Sequence, residues 1–489
     1  MKYHLLTGAT GLLGRYLLRD LTLAEVPVAV VVRRSRFESA AQRIETVMAH
    51  WEQQLGHALV RPIVLEGDIT SPLVGLPQRD LDWLSAHCET VIHSAASLTF
   101  YAEEADGEPW RSNVEGTRNV LDLCRTANIR KYHHVSTAYV CGQRRGRILE
   151  TELNVGQELG NDYEQTKILA EQEVLACDLF DVVTVHRPSI IVGDAQTGYT
   201  TSFHGFYTPL RLVHAAVTSV PWDVILQSDW LGGLQLEGCE RKNLVAVDWV
   251  SAAMTELITH PEHHGRTYHL TNPHPTTVAD MLEAIGTALG ALVESGAVKP
   301  AGKTPPEEMV ESFREQMKIY QSYWSDDPEF DSSQTEAALA HLPCPEITGE
   351  VMDRLVRYAI DANFGWPREA SAAARFDIER HLQPWLAAAE QRPVDAADAA
   401  EHPVSLRVSG SGGGQWHLLL GDGRLIAAGA GLRNGDGPTC YLTSETFSQL
   451  ARGELNWQRA IDTGRLVVSG ARANTYDLPG VFRDLVANS

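Results

Sequence analysis

A glycine-rich turn close to the amino terminus constrains the fold of this chain more than any other feature. The segment Thr7-Gly8-Ala9-Thr10-Gly11-Leu12-Leu13-Gly14 follows the apolar residues 3–7 and opens a helical pattern that runs to about residue 23. Gly8 permits a tight turn, Gly11 lets the backbone approach a pyrophosphate, and Gly14 lets helix and strand pack closely. The unpaired N–H groups at the helix start attract phosphate. The turn therefore predicts a dinucleotide site, with a purely structural glycine turn as the alternative.

The remainder of the chain supports an α/β fold. Apolar, strand-like runs at residues 28–32, 62–66, 90–93, 131–136 and 182–186 alternate with helical patterns such as 114–125 and 164–176. Strands that alternate with helices predict a Rossmann-type, doubly wound parallel sheet. Residues 201–240 and 274–345 break the pattern, so we expect them to build a substrate-binding lobe within one domain of residues 1–390.

The last part of the chain has a different composition. Residues 391–403 belong to a stretch rich in Ala, Asp, Glu and Pro that is typical of a linker. Residues 404–489 alternate short apolar runs with glycine-rich turns, which predicts a separate small α+β domain. A length of 489 residues is compatible with two or three domains.

Charge and cysteine content limit the partners. The formal net charge of −22 repels phosphate backbones and anionic membranes, so nucleic acid is not an expected partner. The seven cysteines are an odd number without CxxC spacing, which favours free thiols in a reducing compartment and gives no support for a metal site. We expect a cytoplasmic protein, since the sequence has neither a signal peptide nor an apolar run long enough to span a bilayer.

Basic residues follow the second strand, where the cofactor's ribose would lie. An acidic residue at this position binds the 2′-hydroxyl of NAD(H), whereas arginine pairs with a 2′-phosphate. Arg33 and Arg34 therefore favour NADP(H) over NAD(H), with a solvated basic patch as the alternative.

Three further segments at strand ends are candidate cofactor contacts. Asp68, which precedes Ile69, is placed to accept a hydrogen bond from the adenine amino group, unless it is an ordinary loop aspartate. Ser94, Ala95 and Ala96 are small enough for close approach of a cofactor, and the preceding His93 is either functional or a core histidine. Pro188 restricts the chain where the nicotinamide amide would lie.

A tyrosine and a lysine four residues apart are the candidate catalytic pair. Tyr163 and Lys167 share one helix face. A nearby ammonium lowers a phenol pKa from about 10, so Tyr163 could act as general acid while Lys167 holds the ribose hydroxyls. Thr137 is the preferred hydroxyl for the substrate carbonyl, with Ser136 in reserve. The alternative is an ordinary exposed pair.

Asn113 begins a helical pattern in Asn-Val-Glu-Gly-Thr. Its side chain could cap that helix, or it could fix backbone and water close to the catalytic pair. The sequence does not decide between the cap and the relay.

Together these residues resemble the thioester reductase and fatty acyl-CoA reductase branch of extended short-chain dehydrogenases. The matching segments are residues 7–14, 32–33, 67–76, 93–96, 113–117, 135–138, 163–167 and 186–193. The stretch Gly-Asp-Ile-Thr-Ser-Pro-Leu-Val-Gly-Leu at 67–76 is the most discriminating, since sugar-nucleotide epimerases usually lack it. The resemblance covers residues 1 to about 275 well and extends more loosely to about 365.

The resemblance implies NADPH-dependent reduction of an acyl thioester to an aldehyde or alcohol, with Thr137, Tyr163 and Lys167 at the catalytic positions. No adenylation or carrier domain precedes these motifs, so we expect the thioester to arrive from an acyl carrier protein or as a coenzyme A ester. A dehydrogenase or ketoreductase of a free hydrophobic alcohol or ketone would show nearly the same motifs. A lipid-binding or redox-sensing protein is the alternative of another class.

The C-terminal segment is similar to sterol-carrier-protein-type lipid-binding domains. The resemblance lies in residues 442–447, 453–455, 460 and 464–470. In that family a sheet and helices enclose an apolar tunnel, for which Trp416, Leu418, Phe447 and Leu450 are candidate lining residues unless they only pack a core. A domain that serves only contacts in a homodimer is the alternative.

Overall fold

The structure is a computed structural model. It describes residues 2–104, 106–219, 236–296, 317, 323, 325–365, 378–390, 401–409, 413–421, 424–431, 438–462 and 465–469. In chain order, the elements up to residue 192 are β1 (Tyr3–Thr7), α1 (Leu12–Leu23), β2 (Val28–Val32), α2 (Ala40–Leu55), β3 (Ile63–Glu66), α3 (Gln78–His87), β4 (Cys88–His93), α4 (Gly116–Ala127), β5 (Lys131–Val135), β6 (Arg147–Ile148), α5 (Asp162–Ala176), β7 (Val182–Pro188) and β8 (Ile190–Val192). The elements of residues 207–361 are α6 (Tyr207–Ser219), β9 (Arg241–Lys242), β10 (Leu244–Ala246), α7 (Val247–Thr259), β11 (Thr267–Leu270), β12 (Thr276–Thr277), α8 (Val278–Glu294), β13 (Glu329–Phe330), α9 (Ser333–Ala338) and α10 (Gly349–Asp361).

A seven-stranded parallel sheet forms the centre of the molecule, with the order β11-β7-β5-β4-β1-β2-β3. Successive residues of β1 point to opposite faces, so Leu6 packs with helices α1, α2 and α7, whereas Leu5 packs with α3 and α4. All five residues of β2 are buried because helices cover both faces of the sheet. The prediction of a doubly wound α/β fold is confirmed. Chain order reverses between β1 and β4, which is where such folds bind ligands.

A second hydrophobic core lies beside the sheet. Helices α6, α8 and α10 bury Leu210, Ile285 and Leu355 against Val192 of β8. Short pairings of β8 with β10 and of β9 with β12 join these helices to the ends of the central sheet. This core occupies the predicted substrate lobe, although residues 220–235, 297–316, 318–322 and 324 of that prediction lie outside the described residues.

The C-terminal part forms a second sheet. Its elements are α11 (Ile378–Glu390), β14 (Glu401–Ser409), β15 (Gly414–Gly421), β16 (Arg424–Ala430), β17 (Thr439–Thr443), α12 (Ser444–Ala451), α13 (Trp457–Asp462) and β18 (Leu466–Ser469). The strand order is β16-β15-β14-β17-β18, with β14 and β17 parallel and the other pairs antiparallel.

The boundary between the two parts differs from the prediction. Ile378 and Leu382, one turn apart on α11, are fully buried in the core of the small sheet. This helix was expected to close the first domain at residue 390, and β14 begins at Glu401, inside the predicted linker of residues 391–403. The reason is that an apolar helix stripe can cover either sheet, and a sequence pattern does not say which one.

The small sheet contacts the large domain through α3. Arg407 of β14 forms an ion pair with Asp80 at 2.9 Å, and these side chains are only 11% and 4% exposed. The ring of Tyr441 lies 6.3 Å from that of Trp83, which in turn contacts Tyr3 at the first residue of β1. The contact therefore lies at the amino-terminal end of β1. Within the described ranges, no helix is both long enough and apolar enough to cross a bilayer.

Candidate active site

A cavity of about 1080 Å³ opens at the carboxyl ends of β1, β4, β5 and β7. Its walls include residues 10–15 of the glycine turn together with Gly8, Ser94, Ala96, Ser136, Thr137, Tyr163, Lys167 and Pro188. Residues up to 180 positions apart in the sequence, Gly8 and Pro188, therefore line the same cavity. The cavity continues into the second core, where the side chains of Phe206, Pro209, Leu244, Met281, Ile285 and Met317 form an apolar wall.

The glycine turn is shaped for a dinucleotide. Gly8 has φ of +77°, and a Cβ there would lie 2.7 Å from the backbone nitrogen of Ala95. A Cβ at Gly14 would lie 2.1 Å from the carbonyl oxygen of Gly8. At Gly11 a Cβ would meet only that oxygen, at 3.3 Å, so this side of the turn is open. Gly11 is also the N-cap of α1 and has no capping side chain, which leaves room for a pyrophosphate at the helix start.

The two predicted arginines take different positions. Arg33 is exposed and lies 3.6 Å from Asp68, whereas Arg34 turns toward Glu66 at 3.3 Å. Asp68 also accepts hydrogen bonds from the backbone N–H and hydroxyl of Thr70 at 3.0 and 2.9 Å. It is not among the residues that line the described cavity.

Arg43 of α2 is a neighbour of this region that the sequence analysis missed. Its guanidinium donates to the carbonyl oxygen of Arg33 at 2.5 Å and to the hydroxyl of Thr10 at 2.8 Å. Burial, followed by the nearby charges of Arg33 and Arg15, lowers the pKa of Arg43. The charges of Arg33 and Arg15 close to Arg43 make this region positive, which suits a phosphate. Ile69, in contrast, packs its side chain over Gly116, and its carbonyl oxygen accepts from Asn119 at 2.8 Å.

Helix α5 holds the candidate catalytic pair. Asn161 caps its first turn by accepting from the backbone N–H of Glu164 at 2.9 Å. One turn apart on this helix, Tyr163 shares a hydrogen bond with the side chain of Thr137, and Lys167 donates from Nζ to the carbonyl oxygen of Val135 at 2.7 Å. The hydroxyls of Thr137 and Tyr163 therefore lie together at the cavity wall.

Burial dominates the acid–base properties of the pair. It raises the pKa of Tyr163 to about 12, opposed by the hydrogen bond from Thr137, and Glu164 raises that pKa further. Burial also lowers the pKa of Lys167 to about 8, against the opposing effect of Glu171. The lowering of the Tyr163 pKa that we expected from Lys167 is not found in the protein alone, because desolvation of the phenolate raises this pKa and Lys167 is not among the groups that shift it. Tyr163 retains its proton at neutral pH, as a proton donor must.

Asn113 holds a loop in place and does not cap a helix. Its amide oxygen accepts from the backbone N–H of Ser97 at 2.7 Å, and its Nδ2 donates to the carbonyl oxygen of Ser97 and to the hydroxyl of Thr166. Since Thr166 lies between Tyr163 and Lys167, Asn113 ties the loop at the cavity wall to the catalytic helix.

His93 is a core histidine. It is 2% exposed and bonds to Thr7 at 2.8 Å and Thr117 at 3.3 Å. Neighbouring Ala95 donates its N–H to the hydroxyl of Thr7 at 3.2 Å, which fixes the strand end against Gly8.

In the small domain, Trp416, Leu418, Phe447 and Leu450 are all buried in one packed core. Among the described residues there is no group of three or more side chains that could hold a metal ion.

The fold and this site define an oxidoreductase of the short-chain dehydrogenase/reductase type with an NAD(P)-binding domain. Residues 6–254, a little over half of the chain, match the family described as male sterility protein, and the chain belongs to this family.

Individual relatives agree with this assignment. The chain is 25% identical over 394 residues to the aldehyde reductase lnaA of Aspergillus flavus, which covers 72% of this chain and 35% of the relative. It is 27% identical over 294 residues to a linear gramicidin synthase of Brevibacillus parabrevis, which covers 58% of this chain and 5% of the relative. The chain thus spans only part of the length of these curated relatives. Among solved structures, the terminal R domain of the myxalamid PKS-NRPS pathway matches with a TM-score of 0.58 and 25% identity, over 76% of this chain and 93% of that domain.

Proposed function

We propose that this protein is an NADPH-dependent reductase of a lipophilic acyl thioester, carried by coenzyme A or by an acyl carrier protein, and that it forms an aldehyde or alcohol. One observation carries the proposal: the hydrogen-bonded hydroxyls of Thr137 and Tyr163 lie at the wall of a cavity that continues along apolar side chains. The polar part of the cavity would bind the reactive carbonyl next to these hydroxyls, and the apolar wall would bind the acyl chain.

The chain's own residues supply proton transfer and positioning. Tyr163, whose pKa is about 12, would donate its proton to the carbonyl oxygen, and Thr137 would hold that oxygen and stabilise the phenolate that forms. Lys167 uses one N–H on Val135, which leaves two for the ribose hydroxyls of a cofactor and for the charge on the phenolate. A reduced nicotinamide, when bound, supplies the hydride.

The arginines beside the glycine turn support NADPH as the cofactor. Arg43 donates to the hydroxyl of Thr10 and to the carbonyl oxygen of Arg33, and the charge of Arg33 acts on it, so two cationic groups beside the glycine turn could pair with a 2′-phosphate. We expect Arg33→Ala and Arg43→Ala to raise the KM for NADPH at least about tenfold and the KM for NADH little, since a charge-assisted hydrogen bond contributes about 1.5–3 kcal/mol. Arg36→Ala, an exposed neighbour, is the matched control. Equal effects on the two cofactors would contradict the assignment.

The reaction is tested by following NADPH oxidation together with thiol release from an acyl-coenzyme A or an acyl carrier protein. One NADPH per free thiol indicates an aldehyde product, and two indicate an alcohol. Tyr163→Phe should abolish both signals, while Tyr101→Phe, at the exposed mouth of the same cavity, should not. Turnover of ketones without thiol release would instead support a ketoreductase. Unchanged cellular function of Tyr163→Phe would support a lipid-binding or redox-sensing role.

For the small domain we propose a sterol-carrier-protein-like fold that holds or delivers a hydrophobic substrate. The support is the motif in residues 442–447 and 464–470 and a five-stranded sheet with a helix packed on it. Because Trp416, Leu418, Phe447 and Leu450 are buried together in the described core, a lipid that entered it would have to displace them. Titration of the full chain with a fluorescent fatty acid tests this, and Phe447→Trp should report binding by quenching. Absence of saturable binding would favour the alternative, in which the domain serves only contacts between the subunits of a homodimer. We expect the protein to be cytoplasmic in either case.

A further inference from the structure

Lys167 is a buried cation at the wall of the cavity. It is 4% exposed, and its Nζ donates to the carbonyl oxygen of Val135 at 2.7 Å. From the sheet, His93 of β4 and His134 of β5 lie close to its charge, since burial, and after it Lys167, lowers the pKa of both. Both histidines are therefore neutral at physiological pH, and neither balances the charge of the ammonium.

Helix α5 supplies a carboxylate close to this ammonium. Glu171 follows Lys167 by four residues, so the two side chains are neighbours on one face of the helix, with their Cβ atoms about 5–6 Å apart. Tyr163 precedes Lys167 by the same spacing, but burial raises its pKa to about 12, so it carries no charge. Glu171 is fully buried, and water and salt screen buried charges little. Glu171 is thus placed to stabilise the charged form of Lys167.

Arg187 of β7 holds the carboxylate of Glu171 in this place. Its Nη2 donates to Oε1 at 2.5 Å, and its Nε donates to the two carboxylate oxygens at 3.2 and 3.1 Å. Its Nη1 donates to the carbonyl oxygens of Glu152 at 2.7 Å and Glu150 at 3.3 Å. His269 of β11 lies 3.5 Å from the same nitrogen and is neutral, because burial, followed by Arg187, lowers its pKa to about 4. The carboxylate therefore cannot turn away from α5 without breaking the ion pair.

We infer that Glu171, held by Arg187, is a positioning residue that keeps Lys167 in its charged, donating form; this inference rests on the proposed function. Only the charged form of Lys167 has three N–H donors, of which Val135 takes one and two remain for the reaction. Burial lowers the pKa of Lys167 to about 8, and Glu171 opposes this change. A lysine that must be protonated works below its pKa, so turnover should fall as the pH rises through about 8. Without Glu171 this fall should begin at a lower pH.

Competitive labelling with acetic anhydride tests the inference without turnover. Lys167 lines the cavity, so this small reagent can reach it, and mass spectrometry of the full chain labelled across a pH series gives its pKa. We expect Glu171→Gln to lower the pKa of Lys167 by about one unit or more, because it removes a buried charge one turn away. Glu173→Gln, which removes the carboxylate that pairs with Arg118 on the same helix, is the matched control and should leave this pKa unchanged. Lys131, at the other end of β5, serves as the reference lysine.

The pH profile of kcat with NADPH and an acyl thioester is the second measurement. The double variant Arg187→Met/Glu171→Leu separates charge from folding, because it removes the carboxylate without leaving a buried charge unpaired. Glu171→Gln and the double variant should both shift the alkaline fall of kcat to lower pH.

Two outcomes would overturn the inference. One is an unchanged pKa of Lys167 in both variants, and the other is a wild-type pH profile in a stably folded double variant, since each would mean that the ion pair only supports folding. If the wild type reduces no thioester, the proposed function fails, whereas the labelling still decides whether Glu171 acts on Lys167.

Discussion

Acid should destabilise this protein through its buried histidines. Among the residues whose burial the structure describes, five histidines are no more than 2% exposed: His93, His133, His134, His186 and His269. In each case burial is the largest cause of a lowered pKa, to about 3 for His93 and His186 and to about 4 for His269. The pKa values of His133 and His134 lie well below 6.5. All five therefore stay neutral in the folded state near pH 5.5.

The sign and size of the effect follow from linkage. In the unfolded chain a histidine titrates near pH 6.5, so below this pH the unfolded state binds more protons and the free energy of unfolding falls. Between pH 6.5 and 5.5 each histidine contributes a loss of about 1 kcal/mol, or about 5 kcal/mol for the five. Glu150 and Glu164, whose pKa values burial raises, act in the opposite direction. His4 and His50, whose pKa values burial lowers to about 4, add to the loss, so the sum gives the order of magnitude only. A loss of this size is comparable to the whole stability of many domains.

Urea unfolding at a series of pH values, followed by tryptophan fluorescence, measures the slope. His134→Leu is the sharpest variant, because neither ring nitrogen of His134 has a hydrogen-bond partner in the described structure. This variant should lose about 1 kcal/mol of the pH dependence. His57→Gln, on the surface, should leave the slope unchanged. An unfolding free energy of the wild type that stays constant from pH 6.5 to 5.5 would refute the reasoning.

Other predictions concern the active site and its supports. Tyr163→Phe should reduce turnover at least about 100-fold with little change in cofactor affinity, which steady-state kinetics would measure. Gly14→Ala should lower the melting temperature of the ligand-free protein, because its Cβ would lie 2.1 Å from a backbone oxygen. Gly11→Ala should mainly weaken cofactor binding. Equal melting temperatures of the two ligand-free variants would contradict this difference. Arg187→Met should destabilise the protein by about 3–5 kcal/mol in urea titrations, since it strands the fully buried carboxylate of Glu171, and adding Glu171→Leu should restore most of the loss.

Some interactions near the site were beyond sequence analysis because they join distant segments. Arg43 reaches Thr10 only because α2 folds back over the glycine turn. The buried ion pair of Arg187 and Glu171, at 2.5 Å, fixes the catalytic helix to β7. Neither residue belongs to the tyrosine–lysine pair from which the sequence analysis recognised this helix. No spacing rule connects such positions.

The sequence by itself determined the α/β class, the position of the glycine turn and the tyrosine–lysine pair on one helix face. These features depend on local geometry: the 3.6-residue helix period, alternating strands and the small volume of glycine. The tertiary structure alone decided that α11 covers the small sheet, that Arg43 joins Arg33, and that Tyr163 keeps its proton. The physical reason is that burial and packing depend on which distant segments meet, and the desolvation of a charge is a property of the assembled interior.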